Sequence, residues 1–585
     1  MRIKKSKSKN SVSYSIIKDY TKNGKRSTKI VDKIGNINYV ASLAEAQNVT
    51  IEQWLENYLN EYIKQHAEET NKIIIEKHIG KIIPKNQKNT FNIGHLFLKD
   101  IYYDLKLNEI CEHVENKYRF KFNLNDILSY IIYSRILFPA SKVKTHELAK
   151  KFVYCPDIKL ENMYRGLTYL NNEMNYIQEK VYENSLNVID RNSRVVYFDC
   201  TNYYFETYEE NDFQRYGINK QHQPKPQVGM GLFMDGDGIP LAMNIYPGNE
   251  NETKQLIDTE NKIVNKFKLN DSRIVICTDA AMCTDEIKHF NIQEGRGFVI
   301  TQSIKKLKEK YQKEVFEDDN WRIVGDYRNT YNINDIQNDE KLYKRYYDTL
   351  FYKIIPTETK SVRQDLIITF SIKYKEYHRS IRNSQIERAN RKISENTKHE
   401  KIKLKTNPND FRRFIKEDVS TKQGEKAEEY YYSIDEEIIK NEEQYDGYYG
   451  ITTNLNDNIK VILRIIKGRW EIEESFRIMK SDFKARPVNL SRQDRITAHF
   501  LTCYLSLLIY RILEKKLNYN YTTSQILDTL RNMYVSELKG DGYIPTYERT
   551  DLTDELHEVF GFRTDYEIMD YKYFEKIFNK ITKAK

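Results

Sequence analysis

The stretch Arg194-Val195-Val196-Tyr197-Phe198-Asp199-Cys200-Thr201 decides how this chain is read. Four consecutive β-branched or aromatic residues run into a carboxylate, the pattern of a short buried strand that ends at Asp199. A second stretch, Arg273-Ile274-Val275-Ile276-Cys277-Thr278-Asp279, repeats it. Between them, residues 227–234 and 241–246 read as strands about an Asp235-Gly236-Asp237-Gly238 turn, and residues 252–267 have helical period. Residues 297–301 read as one more strand.

Three antiparallel strands, a helix, a strand, a helix and a strand form the element order of a ribonuclease-H-like fold, so the centre of the chain is expected to be α/β. Residues 302–450 interrupt that order. Strand-like runs at 350–355 and 365–374 flank a basic helical stretch near 379–405, and from Lys373 to Lys405 eleven Lys/Arg stand against four Glu. So long a segment is too large for a structureless loop and is expected to be an inserted subdomain. Residues 447–453 then read as a strand, and 468–483 and 496–517 as helices.

Working outward, residues 1–40 read as short strands with a turn at Asn23-Gly24, and 41–80 as helices capped by Ser42 and Thr50. Residues 92–190 read as helical, for example 124–137 and 161–188. The resulting division is a basic N-terminal arm with helices (1–90), a helical region (91–190), the first part of the core (191–301), the insertion (302–450), the second part with its key helix (451–520) and a C-terminal helical region (521–585).

A carboxylate at a strand end sits at the rim of a sheet, and two on neighbouring strands can share hard cations. Mg²⁺ prefers oxygen ligands and keeps several waters, so carboxylates plus a phosphate complete its shell. Two such ions about 3.5–4 Å apart stabilise the attacking and leaving oxygens of an in-line displacement. Either Asp taken alone reads more simply as a turn or helix-cap residue. The third element is Arg469-Trp470-Glu471-Ile472-Glu473-Glu474-Ser475-Phe476-Arg477-Ile478-Met479-Lys480. On a regular helix Glu473 lies about 40° from Arg469, and Lys480 returns to within about 20° of Glu473. One polar stripe thus carries a carboxylate between two cations, beside an apolar stripe of Ile472, Phe476 and Met479. By itself this is also an ordinary salt-bridged helix.

Taken together, these residues resemble the DDE transposases of bacterial insertion sequences, in the branch with the signature Y-x2-R-x3-E-x6-K. Arg469, Glu473 and Lys480 fall on that spacing; Ile466 stands in the tyrosine position. The segments from Tyr197 to Glu206, Gly238-Ile239-Pro240-Leu241, Pro247-Gly248-Asn249, Tyr445-Asp446-Gly447, Arg486-Pro487 and Arg495 to His499 are similar to the same group, over roughly 195–515, as is Arg135-Ile136 with Pro139 and Ser141-Lys142, less specifically. The resemblance implies catalytic and metal-binding Asp199, Asp279 and Glu473, with DNA phosphates held by Arg469 and Lys480. It implies two Mg²⁺ ions, for which Mn²⁺ can substitute, and a β-rich insertion before Glu473. It also implies double-stranded DNA partners (terminal inverted repeats and target), a homodimer on DNA, and a bacterial, cytoplasmic, nucleoid-associated setting.

Composition agrees. Residues 1–30 carry ten Lys/Arg and one acid, which matches the +9 of the whole chain and leaves the rest near neutral. A basic segment is what a phosphate-binding arm needs, and equally what a solvated tail looks like. Six scattered cysteines without a C-x-x-C pair argue against zinc and disulfide frameworks. No secretory signal or 18-residue apolar run is read, so no membrane partner is expected; residues 500–510 read as a buried helix. Glu471 and Glu474 are read as facing solvent or a partner, Asp235 and Asp237 as turn residues, Cys200 and Cys277 as small core residues, and His499 as packed. The rival readings are a hydrolytic nuclease of the same fold and a catalytically dead DNA-binding protein.

Overall fold

The computed structural model describes residues 1–8, 11–22, 25–66, 79–80, 82–217, 224–267, 274–359, 362–396, 402–404, 410–418 and 431–583. It has two compact units. The first comprises Met1–Asp100, Glu147–Pro156 and Tyr519–Lys585, and the second Ile101–His146 and Asp157–Asn518.

In the first unit, strands Arg2–Ser8, Ser11–Lys22 and Lys25–Asn36 form an antiparallel sheet. Helices Ile37–Ala46 and Ile51–Gln65 cover it, and Tyr14, Ile16, Ile34, Val40, Trp54 and Leu55 close the core between them. The expected turn residues Asn23 and Gly24 lie outside the described residues. Thr50 does cap its helix, in a reciprocal box with Gln53. Ser42 does not: the helix starts earlier, at an Asn36 cap, and the Ser42 hydroxyl donates to the Tyr39 carbonyl within it.

The second unit is mixed α/β around one ten-stranded sheet. Its strands are β1 (Val195–Tyr204), β2 (Gln227–Asp235), β3 (Pro240–Pro247), β4 (Val275–Thr278), β5 (Gly297–Gln302), β6 (Trp321–Ile323), β7 (Asp326–Tyr331), β8 (Phe351–Thr359), β9 (Val362–Phe370) and β10 (Tyr448–Thr453). Their spatial order is β7-β6-β8-β9-β10-β5-β4-β1-β2-β3. β1, β2 and β3 are antiparallel neighbours, whereas β4 runs parallel to both β1 and β5. The helices used below are α1 (Leu124–Leu137), α2 (Glu252–Lys266), α3 (Asp285–Gln293), α4 (Ile372–Glu395), α5 (Ile459–Gly468), α6 (Trp470–Arg477) and α7 (Gln493–Lys516).

Two features depart from the sequence reading. β1 does not end at Asp199 but runs on to Tyr204, because Cys200, Thr201 and Tyr203 are buried as well and keep pairing with β2. The inserted segment is not β alone: β6, β7, β8 and β9 extend the main sheet through β10, while the 24-residue α4 begins at Ile372, where a strand was read through Tyr374.

One side of β1 and β4 packs Val196, Phe198, Cys200, Ile274 and Ile276 against Phe233, Leu256 of α2 and Ile287 of α3. α7 is the central support. Residues 496–514 are all buried, and its hydroxyls turn back to backbone carbonyls, Thr502 to His499 and Ser506 to Thr502. The helix is long and apolar enough to cross a membrane, but its apolar stretch is wholly buried inside the protein.

Candidate active site

Strand periodicity aims Asp199. Side chains alternate across a sheet, so with Phe198 and Cys200 in the α2 and α3 core, Tyr197, Asp199, Thr201 and Tyr203 project from the opposite face. That face meets α5 and α6. The Tyr197 hydroxyl donates to the Ile465 carbonyl of α5 at 3.0 Å. Gly468 is required there, since a Cβ would stand 2.2 Å from the same hydroxyl oxygen. Asp199 is 7% exposed, and its Oδ1 accepts the Cys200 N–H at 2.7 Å.

The parallel register relates the two aspartates. Val195, Val196 and Tyr197 lie beside Val275, Ile276 and Cys277, a constant offset of 80 residues (275 − 195). Asp279 lies at the same offset from Asp199 (279 − 199 = 80). The same offset thus relates the two in sequence, and the register would bring them level if it ran two residues further. The pairing itself stops at Cys277, and beyond Thr278 the chain turns off. Asp279 caps that turn, its Oδ1 accepting the N–H groups of Ala281 (2.9 Å) and Met282 (3.2 Å).

Glu473 lies on α6, exposed, and accepts from Arg469 at 2.7 Å, the i,i+4 pair expected from the sequence. Ile472, Phe476 and Met479 are buried, so the apolar stripe does seat the helix. The helix is not continuous from 468 to 483, however. Arg469 ends α5 and starts α6, and residues Ile478–Asp482 form a π turn, closed by the Phe483 N–H on the Ile478 carbonyl at 2.9 Å. The wider turn carries Lys480 out of the regular stripe. Its ammonium donates to Thr201 Oγ1 and lies 5.3 Å from the centre of the Tyr203 ring.

The three carboxylates are not drawn into one closed cluster. Among the described residues, the group of three His, Cys, Asp or Glu ligand atoms within 4.8 Å of one another is Asp554, His557 and Asp565. Arg549 and Arg563 pair with both of those aspartates, so that group is balanced internally rather than open to a cation.

Other expectations divide. Asp235 is a turn residue, its Oδ1 taking the N–H of Asp237 and of Ile239 while Oδ2 pairs with Arg191 in full burial. Cys200 and Cys277 are buried; burial pushes both thiols up, Cys277 to about 12, so neither is a nucleophile. His499 is packed, with Nε2 2.9 Å from the Ala485 carbonyl oxygen. Glu471 and Glu474 do not face solvent freely: Glu474 pairs with Arg477, and Glu471 with Arg511 of α7 at 3.1 Å. Burial raises the Glu471 carboxyl, with Arg511 pulling the other way.

Arg511 was not legible as a site residue, although a cation following the apolar run Tyr504–Tyr510 was a usable signal. It is 4% exposed and donates to Ser475 Oγ, the Glu471 carbonyl and Glu514 Oε2. It thereby fixes the back of α6 and the rotation at which Glu473 emerges. Arg135 acts similarly one turn later, donating to the carbonyls of Phe483 and Lys484 where the π turn ends.

Residues 193–509 match the family model described as the transposase DDE domain. That is more than half of the chain, which belongs to this family. No curated protein matches it. Among solved structures, a cryo-EM structure of the piggyBac transposase synaptic complex with hairpin DNA is similar at 9% identity and a TM-score of 0.36, over 85% of this chain and 88% of that one.

Proposed function

We propose that this protein is a DNA transposase of the bacterial insertion-sequence branch, with a ribonuclease-H-like core and Asp199, Asp279 and Glu473 as its metal-binding, catalytic residues. What supports the reading is the parallel register of β1 on β4: its offset of 80 residues, carried two residues past the last pair, relates Asp199 to Asp279, and α5 meets the face from which Asp199 projects. The donor set suits Mg²⁺ or Mn²⁺: three carboxylates, hard oxygen ligands, without a competing reactive thiol. Two bound Mg²⁺ ions supply Lewis-acid stabilisation of the attacking and leaving oxygens of a phosphodiester.

The chain's own residues do the rest. Glu473 is exposed and paired with Arg469, and would be the third carboxylate to hold a cation. Arg469 then holds a DNA phosphate, and so does Lys480, which now donates to Thr201. Water attacks at the element's end and leaves a 3′-hydroxyl; that hydroxyl attacks a target phosphodiester and displaces a target 3′-oxygen. The family resemblance allows a hairpin on the element end between these steps. Residues 1–190 bind the terminal inverted repeats, residues 302–450 form the insertion, and a homodimer brings two ends together.

The test is a cleavage and joining assay on DNA carrying the repeats that flank the gene, with Mg²⁺ or EDTA, beside Glu473→Gln. Mg²⁺-dependent nicks and joined products that vanish in the variant support the reading. Nicks without joining indicate a nuclease, and binding without cleavage in any metal indicates an inactive DNA-binding protein.

A further inference from the structure

α5 delivers the chain to Arg469, and its two sides differ sharply. Ile459, Ile462 and Ile465 are buried, and the Asn458 side chain caps the helix. The opposite side exposes Lys460, Arg464 and Lys467. At 100° per residue these three lie within about 60° of one another, and at 1.5 Å per residue they span about 10 Å. Among the described residues none of them has an acidic partner. That is unusual in this neighbourhood, where Arg469, Arg477 and Arg511 are all paired. The stripe ends at Trp470, which holds its indole 53% exposed at the first position of α6.

We infer that the exposed side of α5 is a phosphate track for duplex DNA, with Lys460, Arg464 and Lys467 gripping consecutive backbone phosphates and Trp470 packing on the sugar or base beyond them. The inference rests on the transposase reading and deepens it by naming where the DNA leading to the carboxylates lies. Three unpaired cations in line suit a polyanion with regularly spaced charges. A protein partner would need acids at that spacing, while DNA offers them in every sequence. Along the chain the track leads to α6: Lys467 is two residues before Arg469, whose partner is Glu473. An exposed indole adds stacking that no lysine supplies.

Salt dependence reads the two contributions separately. Each phosphate contact contributes about −0.9 to the slope of log affinity against log salt, so losing three flattens it by about 2.7. Between about 50 and 200 mM salt, wild type then loses about 40-fold more affinity than the variant. The experiment measures binding of a short labelled duplex of mixed sequence, in EDTA, by the full chain. The variants are Lys460→Gln/Arg464→Gln/Lys467→Gln, an equal charge loss at exposed Lys341, Lys572 and Lys576, and Trp470→Ala. The expected result is a flattened slope for the α5 variant, a near-wild-type slope for the charge control, and weaker binding at unchanged slope for Trp470→Ala. A wild-type slope in the α5 variant, or the same flattening in the control, overturns the track. Mg²⁺-dependent cleavage by wild type is scored in parallel. Its absence overturns the transposase reading, whereas cleavage with an unaltered α5 slope overturns only the track.

Discussion

Replacing Arg511 by Met tests what holds the catalytic helix. The guanidinium is 5% exposed as a side chain and pairs with Glu514 at 2.9 Å and Glu471 at 3.1 Å, carboxylates that are themselves 8% and 21% exposed. It also donates to Ser475 Oγ at 2.9 and 3.2 Å and to the Glu471 carbonyl at 3.0 Å. Methionine keeps much of the volume and removes every donor. The loss is larger than the net worth of these bonds, because two carboxylates remain in a low-dielectric setting without their cation. Breaking a buried pair in this way costs about 3–5 kcal/mol. Arg511→Met is therefore expected to lose that much in urea denaturation followed by circular dichroism. The triple variant with Glu471→Gln and Glu514→Gln recovers most of the loss, since it removes the stranded charges too. The pH dependence carries a sign. Burial already raises the Glu471 carboxyl; without Arg511 it rises further, so the folded variant holds a proton that the unfolded chain has released. The penalty is present at neutral pH and shrinks as pH falls toward the ordinary carboxylate range. A cost below about 1 kcal/mol for Arg511→Met, or a triple variant no better than the single, refutes the argument.

Three further outcomes follow from the same geometry. Asp279→Ala removes both the proposed ligand and the cap on Ala281 and Met282, so it is expected to lose cleavage and about 0.5–2 kcal/mol of stability, whereas Asp279→Asn is expected to lose cleavage alone; thermal melts beside the nicking assay separate them. Gly468→Ala drives a Cβ into the Tyr197 hydroxyl and costs about 1–3 kcal/mol, and Tyr197→Phe in the same chain relieves part of it in a double-mutant cycle. His95 is fully buried, with Nδ1 3.1 Å from the Asn92 carbonyl oxygen, and burial pushes its imidazole down to about 3. Its neutral form favours folding above the ordinary value of 6.5, and that stability is lost as pH falls toward 3; His95→Leu flattens the stability profile over this range by up to one proton, about 1.4 kcal/mol per pH unit.

Much of the second unit was legible because its signals are local. Apolar runs of strand length marked β1, β2, β3, β4 and β5, and the 124–137 reading coincides with α1. Asp199 and Asp279 stood out because each follows such a run. What sequence could not supply was pairing. The register of β1 on β4 joins residues 80 apart, and no local period encodes it. The end of β1 was misread because the apolar run stops at a carboxylate, although partners on β2 keep the strand going to Tyr204. Arg511 was invisible for the same reason, since its partners lie on α6, 36 and 40 residues away.

The helix that carries Glu473 shows how residues at a regular spacing come to lie off a common stripe. A regular helix puts Arg469, Glu473 and Lys480 on one stripe, which predicts that both cations flank the carboxylate. The break at Arg469 and the π turn at Ile478–Asp482 change the phase on both sides of Glu473. Arg469 still reaches Glu473, but Lys480 swings to Thr201 and Tyr203 on β1. Thr201 lies two residues beyond Asp199 and projects from the same sheet face. Lys480 therefore contacts the strand that carries Asp199, and Arg469 contacts Glu473. The buried bonds from Arg511 to α6, and from Arg135 to the end of the π turn, hold that irregular shape against the pull of regular hydrogen bonding.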